Sequence, residues 1–274
     1  MSPALLIDAG NTRLKWALAP MPRPQNWQPR QPAYSASGAV AQRDWPALAE
    51  QLAAATATAP PHVWLSNVAG TAAEQGLRDT LRQLWGKAAP VPRLHSIRAQ
   101  ATQCGIVNHY TEPAQLGCDR WATLIGARAA FPGEHLLVAT LGTATTLESL
   151  SAVGDFLGGL IAPGPALMLS SLANGTAQLP AVLPEQPADA PFATNTRAAM
   201  LAGCLAAQVG LIERSHAALR ARLGEVRCVL TGGAGRWLSP HLCISHTAHD
   251  NLVLAGLFEI ASSESNASLE SHTL

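Results

Sequence analysis

Within the eight residues Asp8-Ala9-Gly10-Asn11-Thr12-Arg13-Leu14-Lys15 lie a carboxylate, a glycine turn, a hydroxyl and an ammonium group. The apolar run Ala4-Leu5-Leu6-Ile7 leads into the carboxylate, and a second alternating run, residues 14–18, leaves the turn. Two strand-like runs around Gly-Asn predict a tight hairpin, with Gly10 supplying a backbone conformation that a β-carbon would hinder. Backbone N–H groups and the Thr12 hydroxyl beside Asp8, with Lys15 close by, are the parts needed to hold a phosphate chain and its metal. A plain hairpin with a solvent-facing Asp carries the same short signature, and a second copy separates the two readings. Leu136-Leu137-Val138-Ala139 leads into Thr140-Leu141-Gly142-Thr143-Ala144-Thr145-Thr146-Leu147, again strand, hydroxyl-rich glycine turn, strand. Two such hairpins, one in each half, predict two related domains facing one nucleotide. They differ at one place, where Thr140 stands in the position of Asp8.

A third set of reactive side chains, Asn108, Tyr110, Asp119 and Arg120, lies in a loop-like stretch, residues 103–120, interrupted by Gly105, Pro113 and Gly117. Helical spacing resumes at Trp121 with Leu124, Ile125 and Arg128, so Asp119 falls at the mouth of a helix. As an N-cap, its side chain would accept a backbone N–H. As half of an Asp–Arg pair at a helix start, it could instead be a general base with an anion-holding neighbour. Position alone favours the cap. Further on, Thr231-Gly232-Gly233-Ala234-Gly235 closes a buried strand, residues 226–230. A glycine-rich turn at the carboxyl end of a strand is a usual nucleotide seat in α/β folds. It is not a GxGxxG fingerprint, and the lack of GxxxxGK[ST] excludes a P-loop kinase. There is no GxSxG or HExxH, and the loose group His241, His246 and His249 has no cysteine or carboxylate partners at metal spacing.

The elements that must position these groups alternate between strands and helices, which argues for an α/β chain. Residues 20–32 are rich in Pro, Gln and Arg and read as an exposed loop. Residues 41–55 have helical spacing with Trp45, Leu48 and Leu52 on one face; 62–66 form a short buried strand, and 71–85 a helix opened by a hydroxyl cap. Gly158, Gly159, Pro163, Gly164 and Pro165 mark a close-approach turn before an apolar helix through Leu172, and residues 180–191 form another Pro/Ala loop. Thr194-Asn195-Thr196 caps a long helix over about 197–221, with Leu201, Leu205, Val209 and Ile212 on one face. A capped helix follows Asp250, and the Ser- and Glu-rich residues from 262 onward read as a frayed tail.

The bulk properties set limits. With 274 residues the chain can form one large or two modest domains. Eighteen basic residues balance eighteen acidic ones, so no global field attracts nucleic acid or an anionic membrane. Lysine is used only twice, at Lys15 and Lys87. Five cysteines (Cys104, Cys118, Cys204, Cys228, Cys243) without CxxC or zinc spacing read as small buried hydrophobes in a reducing cytosol. The apolar start stops at Asp8, too short for a signal peptide or a membrane span. The expectation is a soluble cytoplasmic protein.

Taken together, the motifs resemble the type III pantothenate kinases of the sugar kinase/actin superfamily. Those that carry the resemblance are Asp8-x-Gly-Asn-Thr12, Asn108-x-Tyr110, Gly117-Cys-Asp-Arg120, Gly142-Thr-Ala-Thr-Thr146, Gly158-Gly-x-Ile-x-Pro-Gly164, Thr176-Ala-x-Leu-Pro180, Asn195-Thr196 and Thr231-Gly-Gly233. They run in family order over residues 4 to 257. The resemblance implies two RNase H-like domains, 1–115 and 116–260, with a nucleotide in the cleft between them and a tail over 261–274. It implies ATP-dependent phosphorylation of pantothenate, the first step towards coenzyme A, by a homodimer that binds neither nucleic acid nor membrane. Asp8, Ala9, Gly10, Asn11, Thr12, Arg13, Leu14 and Lys15 would hold the triphosphate, with Asp8 near Mg²⁺. Thr143 would lie on the γ-phosphate side, and Thr231, Gly232 and Gly233 by the adenosine. Tyr110, Gly117, Cys118, Asp119 and Arg120 would line the pantothenate pocket, with Asp119 as general base. Thr196 would be a substrate contact supplied across the dimer.

Two rivals share the fold: a non-catalytic accessory relative, and a kinase for another small hydroxy acid. An intact Asp8/Asp119/Arg120 set argues against the first. The sequence departs from the family pattern at Thr140, where many members have an Asp associated with K⁺ or NH₄⁺. A neutral oxygen there implies a weakened monovalent-cation site. Activity is therefore expected to lack a steep K⁺ requirement; a steep requirement that Thr140→Asp leaves unchanged would contradict this.

Overall fold

The computed structural model describes residues 3–32, 34–86, 92–184 and 192–270. Lys87, residues 185–191 of the expected second loop and residues 271–274 of the expected tail lie outside the description. The chain divides into two units: Met1–Pro132 with Leu252–Leu274, and Gly133–Asn251.

In the first unit the apolar opening residues form β1 (Ala4–Ala9), which the turn joins to β2 (Arg13–Ala19). Then come β3 (Ala36–Ala41), α1 (Trp45–Ala55), β4 (His62–Asn67), α2 (Thr71–Trp85) and β5 (Arg93–Ser96). The five strands lie in the order β3-β2-β1-β4-β5, with β1 antiparallel to β2 and parallel to β4. Leu5, Leu6 and Ile7 are all fully buried because both faces of this sheet are covered. One face packs Leu5, Ile7, Leu14, Trp16, Val63 and Leu65 against Leu48 and Leu52 of α1 and Leu77 and Leu81 of α2. Since side chains alternate across a strand, Leu6 and Asp8 point to the other face. A short antiparallel pair, β6 (Thr102–Gln103) and β7 (Ile106–Asn108), precedes α3 (Cys118–Ala130).

The second unit contains β8 (His135–Leu141), β9 (Ala144–Leu150), β10 (Asp155–Pro163), α4 (Pro165–Gly175), α5 (Thr196–Leu223), β11 (Val226–Thr231), α6 (Gly235–Leu238) and β12 (His246–Ala248). Its strands run β10-β9-β8-β11-β12, with β8 antiparallel to β9 and parallel to β11. This is the strand plan of the first unit, element for element. The expected duplication is therefore present, with β1 matching β8 and β4 matching β11. Leu205, Ile212 and Leu219 of α5 cover Leu137, Ala139, Cys228 and Leu230 of this sheet.

The chain ends with α7 (Leu252–Glu270), which returns to the first unit and packs on α3, β1 and β4. Three expectations change here. The division near residue 115 moves to 132, because α3 is covered by α7 within the first unit. Residues 252–260 join that unit rather than the second. The tail expected from 261 is helical through Glu270. The two helices cross closely at Gly126 and Gly256: a β-carbon on Gly126 would strike the Leu252 carbonyl, and one on Gly256 the Ala122 carbonyl.

The Pro-rich stretch after β2 has no regular structure, but it is not simply an exposed loop. Arg23 forms a 2.6 Å ion pair with Glu259. The buried Trp27 lies 4.1 Å, ring to ring, from Phe258, and Arg30 donates to the Ala130 carbonyl at 2.6 Å. It straps α7 and the end of α3. The hydroxyl cap expected on α2 is also absent: Gly70 holds the N-cap position and Thr71 is the first helical residue. Among the described residues no helix is long and apolar enough to cross a membrane.

Gly256→Ala should overpack the α3–α7 crossing and lower stability by about 1–3 kcal/mol. Denaturant titration checks this, and an unchanged midpoint would show that the crossing tolerates a methyl group.

Candidate active site

The first hairpin turns through Gly10, Asn11 and Thr12, and the Gly10 N–H donates to the Arg13 carbonyl at 3.1 Å. Gly10 is not among the glycines in the left-handed region. What requires glycine is space, since a β-carbon would sit 3.1 Å from the Arg13 carbonyl oxygen. Neighbouring segments fix the turn: Val68 N–H donates to the Ala9 carbonyl at 3.1 Å, and Gln42 N–H to the Thr12 carbonyl at 3.0 Å. The tip residues Asn11, Thr12 and Arg13 are exposed.

Asp8 sits just behind the tip, half-buried, in register with Lys15 on β2 and Ser66 on β4. Burial pushes its carboxyl up to about 7; Lys15 pulls against that rise, and the Asp119 carboxylate adds to it. The fold thus sets residues 8 and 119, from strand and helix and far apart in sequence, within electrostatic reach of each other.

Asp119 lies in the first turn of α3. Gly117 holds the N-cap position and makes no side-chain cap, so the cap expected of Asp119 is not what it forms. Its Oδ1 instead accepts the Arg120 backbone N–H at 2.8 Å, where a carboxylate also complements the helix dipole. A β-carbon on Gly117 would lie 2.8 Å from that same oxygen, so glycine keeps the approach to the carboxylate clear. Cys118 Sγ lies 3.5 Å from Oγ of the fully buried Ser66. Ser66, which the sequence did not single out, thus links the strand beside Asp8 to the residue before Asp119. Burial raises the Cys118 thiol, with the Ser66 hydrogen bond opposing, so it is poorly suited to act as a nucleophile.

Arg120 is buried and donates through Nη1 to the Tyr110 hydroxyl at 3.0 Å, with its guanidinium 5.8 Å from the ring centroid. Asn108 shapes that loop: its Oδ1 accepts the Tyr110 N–H at 3.1 Å, and its Nδ2 donates to the Gln100 and Pro113 carbonyls at 3.2 Å. The Asn108-x-Tyr110 spacing is therefore a built turn that presents Tyr110 to Arg120.

In the second unit Thr140 pairs with Thr146 on β9 and Thr231 on β11, the register that Asp8 keeps with Lys15 and Ser66. Three glycine turns converge around this hairpin. Gly164 N–H donates to the Thr143 carbonyl at 3.0 Å, and a β-carbon on Gly164 would overlap the Gly142 carbonyl. Gly232, at φ +95°, packs on the Leu141 backbone, and Ala234 N–H donates to the Leu141 carbonyl at 3.1 Å. Thr143, Thr231, Gly232 and Gly233 are thus brought into one cluster. Beneath it, Thr145 donates to Gln208 Oε1 at 2.6 Å, and Gln208 Nε2 donates to the Pro163 carbonyl at 2.9 Å. Gln208 was not foreseen, because a polar residue on a helix face reveals its partner only in three dimensions.

Thr196 is exposed at the start of α5, where Asn195 provides the cap by accepting the Ala198 N–H at 3.0 Å. It lies roughly 18 Å along the helix from Gln208 and does not join the cluster. A cavity of about 880 Å³ also lies in this unit, lined by Glu134, His135, Arg220 and Arg227 at the opposite strand ends, away from the glycine turns.

Comparison with known proteins decides the family. The family model for type III pantothenate kinase matches residues 4–218. The type III pantothenate kinase of Burkholderia thailandensis is 49% identical over 275 residues, covering 94% of this chain and 98% of its own. The chain belongs to the type III pantothenate kinase family. The fold extends further. A Campylobacter jejuni protein, named for a Baf family of transcriptional activators, superposes with a TM-score of 0.58 at 18% identity, covering 96% of this chain and 99% of its own. The activator of the 2-hydroxyisocaproyl-CoA dehydratase from Clostridium difficile, solved with ADPNP, gives 0.51 at 12% identity, covering 99% and 97%. At these identities the likeness is one of fold.

The Asp8 environment has a consequence for stability. A carboxyl whose folded pKa lies above its unfolded value destabilises the fold once the unfolded chain ionises and the folded one resists. For Asp8 that window runs from about 4 up to about 7. In nucleotide-free protein, Asp8→Asn should raise the melting temperature by several degrees at pH 8 and by little at pH 4. Equal effects at both pH values would contradict the assignment.

Proposed function

We propose that this protein transfers the γ-phosphoryl group of ATP to the primary hydroxyl of pantothenate, the first committed chemistry towards coenzyme A. The single observation that carries the mechanism is the contact of Cys118 with Ser66, which sets the residue before Asp119 against the strand position paired with Asp8, next to the buried Arg120–Tyr110 pair. Family membership supplies the acceptor.

The residues present fit a metal–nucleotide. A buried carboxylate that resists ionisation is stabilised in its charged form by a divalent cation, and Asp8 is placed for that. Asp8 would hold Mg²⁺ through its water or phosphate ligands, and residues 9–15 would hold the triphosphate, with Lys15 contributing positive charge. When bound, Mg²⁺ screens the phosphate charge that builds as the terminal bond breaks. Thr143 lies on the γ-phosphate side, and Thr231, Gly232 and Gly233 serve the adenosine. Thr140 offers a neutral hydroxyl where the first hairpin has Asp8, so a monovalent cation finds no charge from that position.

Asp119 accepts the proton of the acceptor hydroxyl as the new oxygen–phosphorus bond forms. Arg120, held by Tyr110, pairs with the pantothenate carboxylate, and Gly117 and Cys118 border the pocket. Holding both reactants in one geometry supplies most of the acceleration, since phosphoryl transfer demands little covalent chemistry from the protein. A cytosolic homodimer completes the proposal. Leu160 and Ile161 of β10 and Leu167 and Leu172 of α4 expose apolar surface suited to a second copy, to which Thr196 would contribute across the interface.

A coupled ADP-release assay tests the activity: turnover with pantothenate is expected, while ATP hydrolysis stimulated only by a different hydroxy acid would overturn the acceptor. Asp119→Asn should lower kcat by roughly 10²–10⁴-fold. Its melting temperature should not fall, because an Asn side-chain oxygen can still accept the Arg120 N–H and the charge that raises the Asp8 pKa is removed. Near-normal kcat in that variant would remove Asp119 from the base role.

A further inference from the structure

Two histidines outside the proposed chemistry meet on the edge of the first sheet. His62 opens β4 and His95 lies on the parallel edge strand β5, where register pairs His62 with Arg93 and Trp64 with His95. Residues 62 and 64 leave the same face of β4, and His95 leaves that face beside Trp64, so the two imidazoles are diagonal neighbours. His62 Nδ1 stands 3.0 Å from His95 Nε2. The His95 ring is held flat against the Trp64 indole, with centroids 4.3 Å apart and planes 10° from parallel. His62 is exposed and His95 half-buried, so solvent reaches the pair.

We propose that His62 and His95 form a two-imidazole surface site for a divalent late transition-metal ion, with Cu²⁺ or Ni²⁺ fitting better than Zn²⁺. The spacing carries the choice of metal. At metal–nitrogen distances of about 2.0–2.1 Å, ligand atoms 3.0 Å apart subtend roughly 91–97° at the metal. That is the cis angle of square-planar, tetragonal or octahedral coordination. Tetrahedral zinc needs a separation of about 3.3 Å. In the metal-free pair one facing nitrogen donates to the other; metal binding moves that proton to the far nitrogen of the same ring, and water fills the open positions. Among the described residues no group of three or more His, Cys, Asp or Glu side chains is placed to hold a metal, so this is a bidentate site. The Arg93 guanidinium nearby limits its affinity. Occupancy would clip the edge strand β5 to β4.

Metal-free protein titrated with CuCl₂, NiCl₂ and ZnCl₂ by calorimetry should bind one equivalent of Cu²⁺, and Ni²⁺ more tightly than Zn²⁺. Electron spin-echo measurements on the Cu²⁺ form should show two coordinated imidazoles. His62→Ala and His95→Phe, the latter keeping the stack on Trp64, should each weaken Cu²⁺ binding by tenfold or more and leave at most one of these imidazoles. Circular dichroism confirms the fold of each variant. No binding by the native protein, Zn²⁺ binding tighter than Ni²⁺, or affinity unchanged in both variants would overturn the proposal.

Discussion

Asp8 is the next-to-last residue of a strand that has no solvent face, and most of what surrounds it follows from that placement. Leu5, Leu6 and Ile7 must be buried on both sides for the sheet to form, so the carboxylate at their end is drawn into the protein with them. A buried carboxylate is stable only with compensating charge. Lys15, opposite on β2, offers part of it, and Asp119 at the first turn of α3 works against it. The result is a carboxyl held well above its ordinary range.

The second unit repeats the same strand plan with the charge removed. Thr140 and Thr231 occupy the register positions of Asp8 and Ser66, and hydroxyls and glycines replace the carboxylate. Close packing does the work there: Gly164 and Gly232 lie where a β-carbon would strike the backbone of residues 141–143. One scaffold thus carries two kinds of turn, one organised by charge and one by space. Duplication fixes where the turns occur, and single residues decide what each can do.

Much of this was legible in the chain. Hairpins written as apolar run, glycine turn and apolar run depend on local rules, and both formed near the expected residues. The Asn195 cap and the long α5 helix were also readable, because caps and helical periodicity are local. What escaped the sequence was set by distant contacts. Ser66 reads as one more residue of a buried strand until Cys118 is found beside it, and Gln208 gains its role only through Thr145 and Pro163. The unit boundary was misplaced because a helix at the far end of the chain, α7, returns to cover α3. Trp27 and Arg30 sit in a stretch whose prolines forbid regular structure, yet they grip α7 and α3, since burial does not require a helix or strand. Asp119 was misread as a cap by two positions, the usual uncertainty of a helix end.

Titration of the Asp8 side-chain carboxyl by ¹³C NMR, in native nucleotide-free protein and in Asp119→Asn, tests the coupled carboxylates most directly. The native midpoint should lie near 7 and move downward when the charge at 119 is removed, with burial holding it above the ordinary range. A midpoint in the ordinary carboxylate range, unmoved by the substitution, would show that the two groups do not share a site.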